Sequence, residues 1–266
     1  MRDNRKRYSS LDLRIEEFGR AENIKEGMKF RIKESFLNAL YPRCCPICHQ
    51  ILKEQNWLIC PKCESELKPI GEPRCKKCGK RIFYMEKEYC QDCSRREHVF
   101  DEGRGIFDYD EKMRASILKY KDGGRREYGD FYAQAMIRYG RIDLRRWRPQ
   151  AVLSVPIHPK KQRIRGFDQA GYLAKAVAEA TGLPLCCGYM RKKSVTFAQK
   201  SLEASMRRKN LENSFEGREG DWQIRRLLVI DDVYTTGSTI DAVSVEAKRH
   251  GVENIYFLTV CIGRGD

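Results

Sequence analysis

The chain has 266 residues, 41% hydrophobic and 33% charged, with a formal net charge of +15. That balance belongs to a globular protein and excludes a low-complexity or disordered chain. No stretch approaches the roughly 18 apolar residues of a spanning helix, so no membrane insertion is expected. The charged start MRDNRKRYSS lacks the apolar core of a secretory signal, and a cytoplasmic location is expected.

Residues 1–102 hold 22 Lys and Arg against 17 Asp and Glu; the remainder holds 30 against 20. A basic excess favours phosphate-bearing partners such as nucleic acid, nucleotides or sugar phosphates. The plainer alternative is a solubilising surface.

In chain order, residues 1–27 read as a loose charged arm. Residues 28–43 read as an amphipathic helix, with Met28, Ile32, Phe36 and Leu40 on one face and Tyr41-Pro42 closing it. Residues 44–93 form a cysteine module and residues 94–104 a charged linker. Residues 105–266 form one α/β domain. Within it, Ile106–Tyr109 reads as a strand and Lys112–Lys121 as a helix. Ala151–Val155 reads as a buried strand closed by Pro156, and Gln169–Thr181 as an Ala-rich helix stopped by Gly182 and Pro184. Glu203–Glu212 reads as a helix, Leu227–Ile230 as a buried strand, Ser238–His250 as a helix ended by Gly251, and Ile255–Cys261 as a last strand. Strands alternating with helices predict a mainly parallel sheet with helices on both faces.

The module carries four C-x2-C pairs: Cys45/Cys48, Cys60/Cys63, Cys75/Cys78 and Cys90/Cys93, each beginning 15 residues after the last. A C-x2-C turn presents two thiolates to one ion, and tetrahedral Zn²⁺ takes four, so eight cysteines fit two structural zinc sites. A core this poor in large apolar side chains (Ile47, Leu52, Trp57, Leu58, Leu67, Phe83, Tyr84) supplies on the order of 3–5 kcal/mol at most. A structural zinc contributes about 10–16 kcal/mol near neutral pH. The metal therefore dominates folding of the module. Sequential and cross-braced pairings both satisfy the spacing. Cys44 falls outside the register, and Cys186, Cys187 and Cys261 read as small buried residues. Lys76, Lys77, Lys80 and Arg81 flank the third pair, where a solvated surface and a nucleic-acid contact are both open readings.

The segment Leu227-Leu228-Val229-Ile230-Asp231-Asp232-Val233-Tyr234-Thr235-Thr236-Gly237-Ser238-Thr239 carries the clearest chemistry. A buried strand is followed, just past its carboxyl end, by two acids, then by a hydroxyl-rich turn and a helix. Free amides at the helix start, with the hydroxyls of Thr235, Thr236, Ser238 and Thr239, suit a phosphate monoester. Gly237 lets the backbone approach it. Asp231 and Asp232 would repel phosphate but accept hydrogen bonds from a cis-diol. Diol at one end and phosphate at the other describes a ribose 5-phosphate.

On this pattern the chain resembles the type I phosphoribosyltransferases. The resemblance implies that fold, with Asp231 and Asp232 as catalytic residues facing the ribose hydroxyls of phosphoribosyl pyrophosphate. It also implies that Thr235 to Thr239 hold the 5-phosphate and that Mg²⁺ accompanies the pyrophosphate.

Three further stretches resemble the ComF (competence protein F) family. They are Val155-Pro156-Ile157-His158-Pro159 with Arg163, Arg165-Gly166-Phe167-Asp168-Gln169-Ala170; Thr196, Gln199, Leu202, Arg207, Asn210 and Phe215; and Leu118-Lys119-Tyr120-Lys121 with Gly123 or Gly124. With the cysteine ribbon the likeness runs from about residue 37 to 262. Asp168 departs from it, since Asn is usual there. Arg163, Arg165, Lys119 and Lys121 are candidate pyrophosphate contacts, and the basic, hydroxyl-bearing residues 191–210 a candidate flap over the site.

The resemblance implies a role in DNA uptake during natural transformation, with phosphoribosyl pyrophosphate or a nucleotide and single-stranded DNA as ligands. A working phosphoribosyltransferase of nucleobase salvage, and a non-catalytic zinc-ribbon adaptor for a helicase-like competence partner, remain alternative readings.

Overall fold

The structure, a computed structural model, describes residues 42–54, 56–84, 86–193 and 214–264. The expected arm, nearly all of the expected amphipathic helix, the helix at 203–212 and most of the candidate flap lie outside the described residues.

The cysteine module contributes two short helices, α1 (Pro61–Glu66) and α2 (Gln91–Arg95). They are followed by β1 (Glu102–Asp108), α3 (Glu111–Asp122), α4 (Tyr128–Trp147), β2 (Ala151–Ser154), α5 (Pro159–Arg165) and α6 (Gln169–Thr181). Next come β3 (Met190–Lys192), β4 (Phe215–Gly217), β5 (Arg226–Tyr234), α7 (Ser238–Arg249) and β6 (Asn254–Ile262). Four strands form one parallel sheet in the order β1-β6-β5-β2, while β3 and β4 pair antiparallel beside it.

Alternation along the strands builds two cores. Leu228, Ile230, Leu258 and Val260 face a cluster supplied by α3, α4 and α6. Leu227, Val229, Ile255 and Phe257 face the opposite cluster, supplied by α7 and by Ile70, Ile82 and Phe100 of the cysteine module and its exit. The sheet thus has helices on both faces, as the sequence predicts, but the module completes one of the two walls.

Two differences from the sequence reading matter. The longest helix among the described residues, α4, was not expected. The strand read as Leu227–Ile230 runs on to Tyr234, because β6 continues alongside it with Asp231 opposite Thr259, Val233 opposite Cys261 and Tyr234 opposite Ile262. The two acids therefore lie in the last part of β5 rather than past it. On the other side β2 stops at Ser154, opposite Ile230, which leaves that flank of the acidic segment open.

The chain from Ile70 to Arg81 lies along the outer side of β1. The Ile70 amide donates to the Ile106 carbonyl and the Gly103 amide to the Lys77 carbonyl, each at 2.8 Å. The approach is close: a Cβ on Gly79 would sit 2.5 Å from the Gly103 carbonyl oxygen. Asp143 of α4, 2% exposed, ties these parts together. It receives a two-nitrogen fork from Arg74 (2.6 and 2.9 Å) and contacts Arg146 at 3.1 Å and Arg104 of β1 at 3.5 Å. Burial, with Arg74 nearby, lowers the Arg104 pKa to about 10. Asp143→Ala leaves Arg74 and Arg104 without their shared partner and should cost about 3–5 kcal/mol, read as a lower urea midpoint with an unchanged m-value.

Candidate functional site

The eight paired cysteines fall into two groups, Cys45/Cys48/Cys60/Cys63 and Cys75/Cys78/Cys90/Cys93, with the sulfurs of each group within 4.8 Å of one another. The pairing is therefore sequential. Zn–S bonds of about 2.3 Å give a tetrahedron with S···S edges of about 3.8 Å. Cys48 and Cys60 stand 3.8 Å apart, and Cys78 and Cys90 3.6 Å. Both groups fit zinc, and four thiolates leave no position for a reacting water. Cys186 and Cys261 are buried as expected, and Cys44 is buried too, but Cys187 is exposed, at the turn that follows Leu185 along the β2 side.

At the end of β5, Asp231 and Asp232 leave the strand on opposite sides. Asp232, 6% exposed, turns toward α3, where Lys121 Nζ lies 2.6 Å from its Oδ1. Asp231 accepts from the Asp232 amide at 2.8 Å. Burial first, then the Asp232 charge, pushes its carboxyl up to about 7, against the opposing pull of Lys121 and Lys192. Lys192, on β3, has its own pKa lowered by burial and by Lys161. It borders a cleft of about 530 Å³ with Ser154, Pro156, Ile157, Asp168 and Met190. Lys121 thus pairs with Asp232, while Lys192 acts on Asp231 through its charge and borders the cleft.

The turn after β5 leads into α7. Gly237, the residue before the helix, has φ +80°, and α7 has no side-chain cap, so its first amides are not satisfied by a side chain. A Cβ at Gly237 would meet the Tyr234 hydroxyl at 2.5 Å and His98 Cε1 at 2.8 Å; glycine is required by both conformation and space. The Thr236 and Ser238 hydroxyls pair at 3.1 Å. Thr235 and Thr236 are exposed, Ser238 and Thr239 half-buried.

The other candidates separate. Lys121 reaches the acids, whereas Lys119, two positions away on the helix, is exposed. Its charge, with that of Arg125 and with burial as the main cause, lowers the pKa of His49 in the first ribbon. Arg163 on α5 is exposed. Arg165 is held by Asp122 at 2.9 Å and by Gln169 at 3.1 Å, so it braces α3 and α6. Asp168 caps α6 by accepting from the Gly171 amide at 3.0 Å. Asn fills that role equally well, which explains how Asp is tolerated. Lys192 was not singled out in the sequence, because a lysine opening a basic stretch carries no spacing signal.

The double zinc ribbon domain family matches residues 36–94. The chain is 33% identical over 109 residues to competence protein F of Haemophilus influenzae, covering 40% of this chain and 48% of that protein. The DNA utilization protein YhgH of Escherichia coli is 29% identical over 113 residues (42% of this chain, 49% of that one). The competence protein ComFC of Streptococcus pneumoniae is 25% identical over 164 residues (60% and 68%). The chain thus spans about half the length of the first two relatives. Among solved structures, a purine phosphoribosyltransferase from Pyrococcus horikoshii overlaps 50% of this chain and 71% of its own, at 17% identity and a TM-score of 0.30. Among the described residues, no helix is long and apolar enough to cross a membrane.

Two outcomes are expected. Metal analysis should find two zinc ions per chain, and Cys78→Ser should reduce the count to one. The raised Asp231 pKa means that the folded chain keeps a proton which the unfolded chain, with a pKa of about 3.9, has released. Stability from this group therefore falls as pH rises from about 4 to about 7. Asp231→Asn should remove that part of the slope, seen as a gain in urea midpoint over wild type that is larger at pH 8 than at pH 6.

Proposed function

We propose that the C-terminal domain binds a 5-phosphorylated ribose, as phosphoribosyl pyrophosphate with Mg²⁺ or as a nucleotide, and serves DNA uptake by handling single-stranded DNA. The observation that carries this reading is the juxtaposition at one strand end. Asp231 and Asp232 supply acceptors for ribose hydroxyls, and the next turn offers hydroxyls and the uncapped amides of α7. A helix pole alone contributes about 0.3–1 kcal/mol, so tight binding needs the amides and hydroxyls of residues 235–239 acting together. Mg²⁺, when bound, would offset the charge of the pyrophosphate. Lys121 and Lys192 hold the two carboxylates ready and add positive potential beside them.

The DNA part rests on the names of the relatives, competence protein F and DNA utilization protein, and on the net charge of +15. A helicase-like competence protein is the partner this role would call for.

A second reading, transfer of the phosphoribosyl group to a nucleobase, draws on the 530 Å³ cleft lined by Lys192 and by Ser154 at the end of β2, which would give an acceptor room. The bond from ribose C1′ to pyrophosphate would break as a base nitrogen bonds to C1′, and the protein would chiefly position the two and stabilise the departing charge.

Phosphoribosyl pyrophosphate with Mg²⁺ at 100 times its dissociation constant should stabilise the chain by about 2.7 kcal/mol, visible as a thermal shift, and Asp232→Asn should abolish it. An unshifted melting curve for wild type would refute the site. Single-stranded DNA affinity, measured by anisotropy, should fall steeply as salt rises.

A further inference from the structure

We infer that Arg96, carried on the chain leaving the second zinc ribbon, is a phosphate-binding residue of the turn between β5 and α7. The inference rests on reading that turn as a phosphate site and adds to it a cation that the sequence does not reveal, since Arg96 lies some 140 positions earlier in the chain.

Arg96 follows Cys93, the last ligand of the second four-cysteine group, by three residues. Its Nη1 lies 3.4 Å from Ser238 Oγ, and its Nη2 donates to Asp241 Oδ2 at 3.0 Å. Ser238 Oγ in turn lies 3.1 Å from Thr236 Oγ1. The guanidinium thus borders the two hydroxyls and the uncapped helix start where the phosphate is placed. Its side chain keeps 28% exposure, so one side is open to an incoming ligand.

Asp241 does not need Arg96 as its partner. Its Oδ1 accepts from the Val99 amide at 2.9 Å, and its Oδ2 also contacts His98 Nδ1 at 2.9 Å. These contacts lock the segment from Arg96 to Val99 against the first turn of α7. The His98 ring, with no exposed side-chain surface, packs behind Gly237, and its Nε2 is buried with no partner among the described residues. The backing is rigid, so Arg96 is delivered in a fixed position. A guanidinium has five N–H donors in a planar fork, of which these contacts use two, and that fork is suited to phosphate oxygens.

Charge placement points the same way. Lys121 lies at the acidic end of the site, where its charge is engaged by Asp232. Arg96, paired with Asp241 through one nitrogen, puts a cation beside the turn, where among the described residues of 235–239 a dianionic monoester would meet amides and hydroxyls.

The test is calorimetric titration of ribose 5-phosphate into the full-length, zinc-loaded chain. Arg96→Ala should bind about 10-fold more weakly or worse, as expected for loss of a charged hydrogen bond, with two zinc ions retained. Arg96→Lys should recover part of the loss. Arg96→Gln, which keeps a hydrogen bond toward Asp241 without the charge, should behave like Arg96→Ala and should also flatten the salt dependence of binding. A purely structural role would not alter that dependence. Equal affinity for wild type and Arg96→Gln would overturn the inference while leaving the phosphate site intact. If wild type itself binds no ribose 5-phosphate, the reading of the turn fails and the role of Arg96 fails with it.

Discussion

Zinc–thiolate bonding sets the terms for much of this molecule. The module between Cys44 and Cys93 has few large apolar side chains of its own, and its sulfurs stand at tetrahedral separations. What the ions hold together is then used as building material. Cys75, Cys78, Ile70 and Ile82 enter the same core as Leu227, Val229 and Phe257 of the sheet, while Ile47 and Leu58 of the first ribbon pack on the opposite core. The α/β domain has helices on both faces, yet only α7 among the long helices lies on one of them, and the second ribbon fills the remaining space. Metal coordination in one half of the chain is thereby linked to hydrophobic burial in the other.

The same linkage reaches the candidate site. The acids on β5 are positioned by strand pairing: β6 runs on to Tyr234 and β2 stops short. That difference in length leaves Asp231 and Asp232 anchored on one side and open on the other. The turn that follows is backed by Tyr234 and His98, one from the sheet and one from the chain leaving the ribbon. Lys80 of the ribbon, almost fully buried and paired with Asp92, lies 5.9 Å from the Tyr234 ring centre. The ribbon and the turn thus share a wall, although nearly the whole domain separates them in sequence.

Periodicity and local chemistry were legible in the sequence where one segment carried the whole signal. The four C-x2-C pairs gave the metal ligands, the Leu227–Thr239 run gave the strand, acids and turn in order, and α6 begins and ends where its apolar spacing and Gly182 place it. The sequential grouping of the cysteines was not legible, because both pairings satisfy the spacing. Helix α4 was missed although Tyr128, Phe131, Tyr132, Ala135 and Met136 recur at helical spacing. Gly129, Gly140 and Asp143 interrupt the pattern, and each has a tertiary reason: Gly140 lies close to Leu258, Gly129 to Tyr172, and Asp143 receives three arginines. Lys119 and Lys121 look alike in sequence, but helical rotation sends only Lys121 to the acids. Arg165 looked like an anion ligand because its partner Asp122 is brought to it only by the packing of α3 against α5.

The close run of residues 70–81 beside β1 has a bearing on how the chain behaves when it loses metal. An outermost strand presents a ladder of amides and carbonyls to any passing chain, and proteins protect such borders with charge, bulges or covering loops. Here the cover is a segment that zinc keeps in shape, bonded through Ile70 and Lys77 to Ile106 and Gly103. Stripped of its ions, the molecule would uncover a strand whose interior residues are all buried, and neighbouring copies could add to it edge to edge. Zinc would then guard against self-association as well as hold the module's shape.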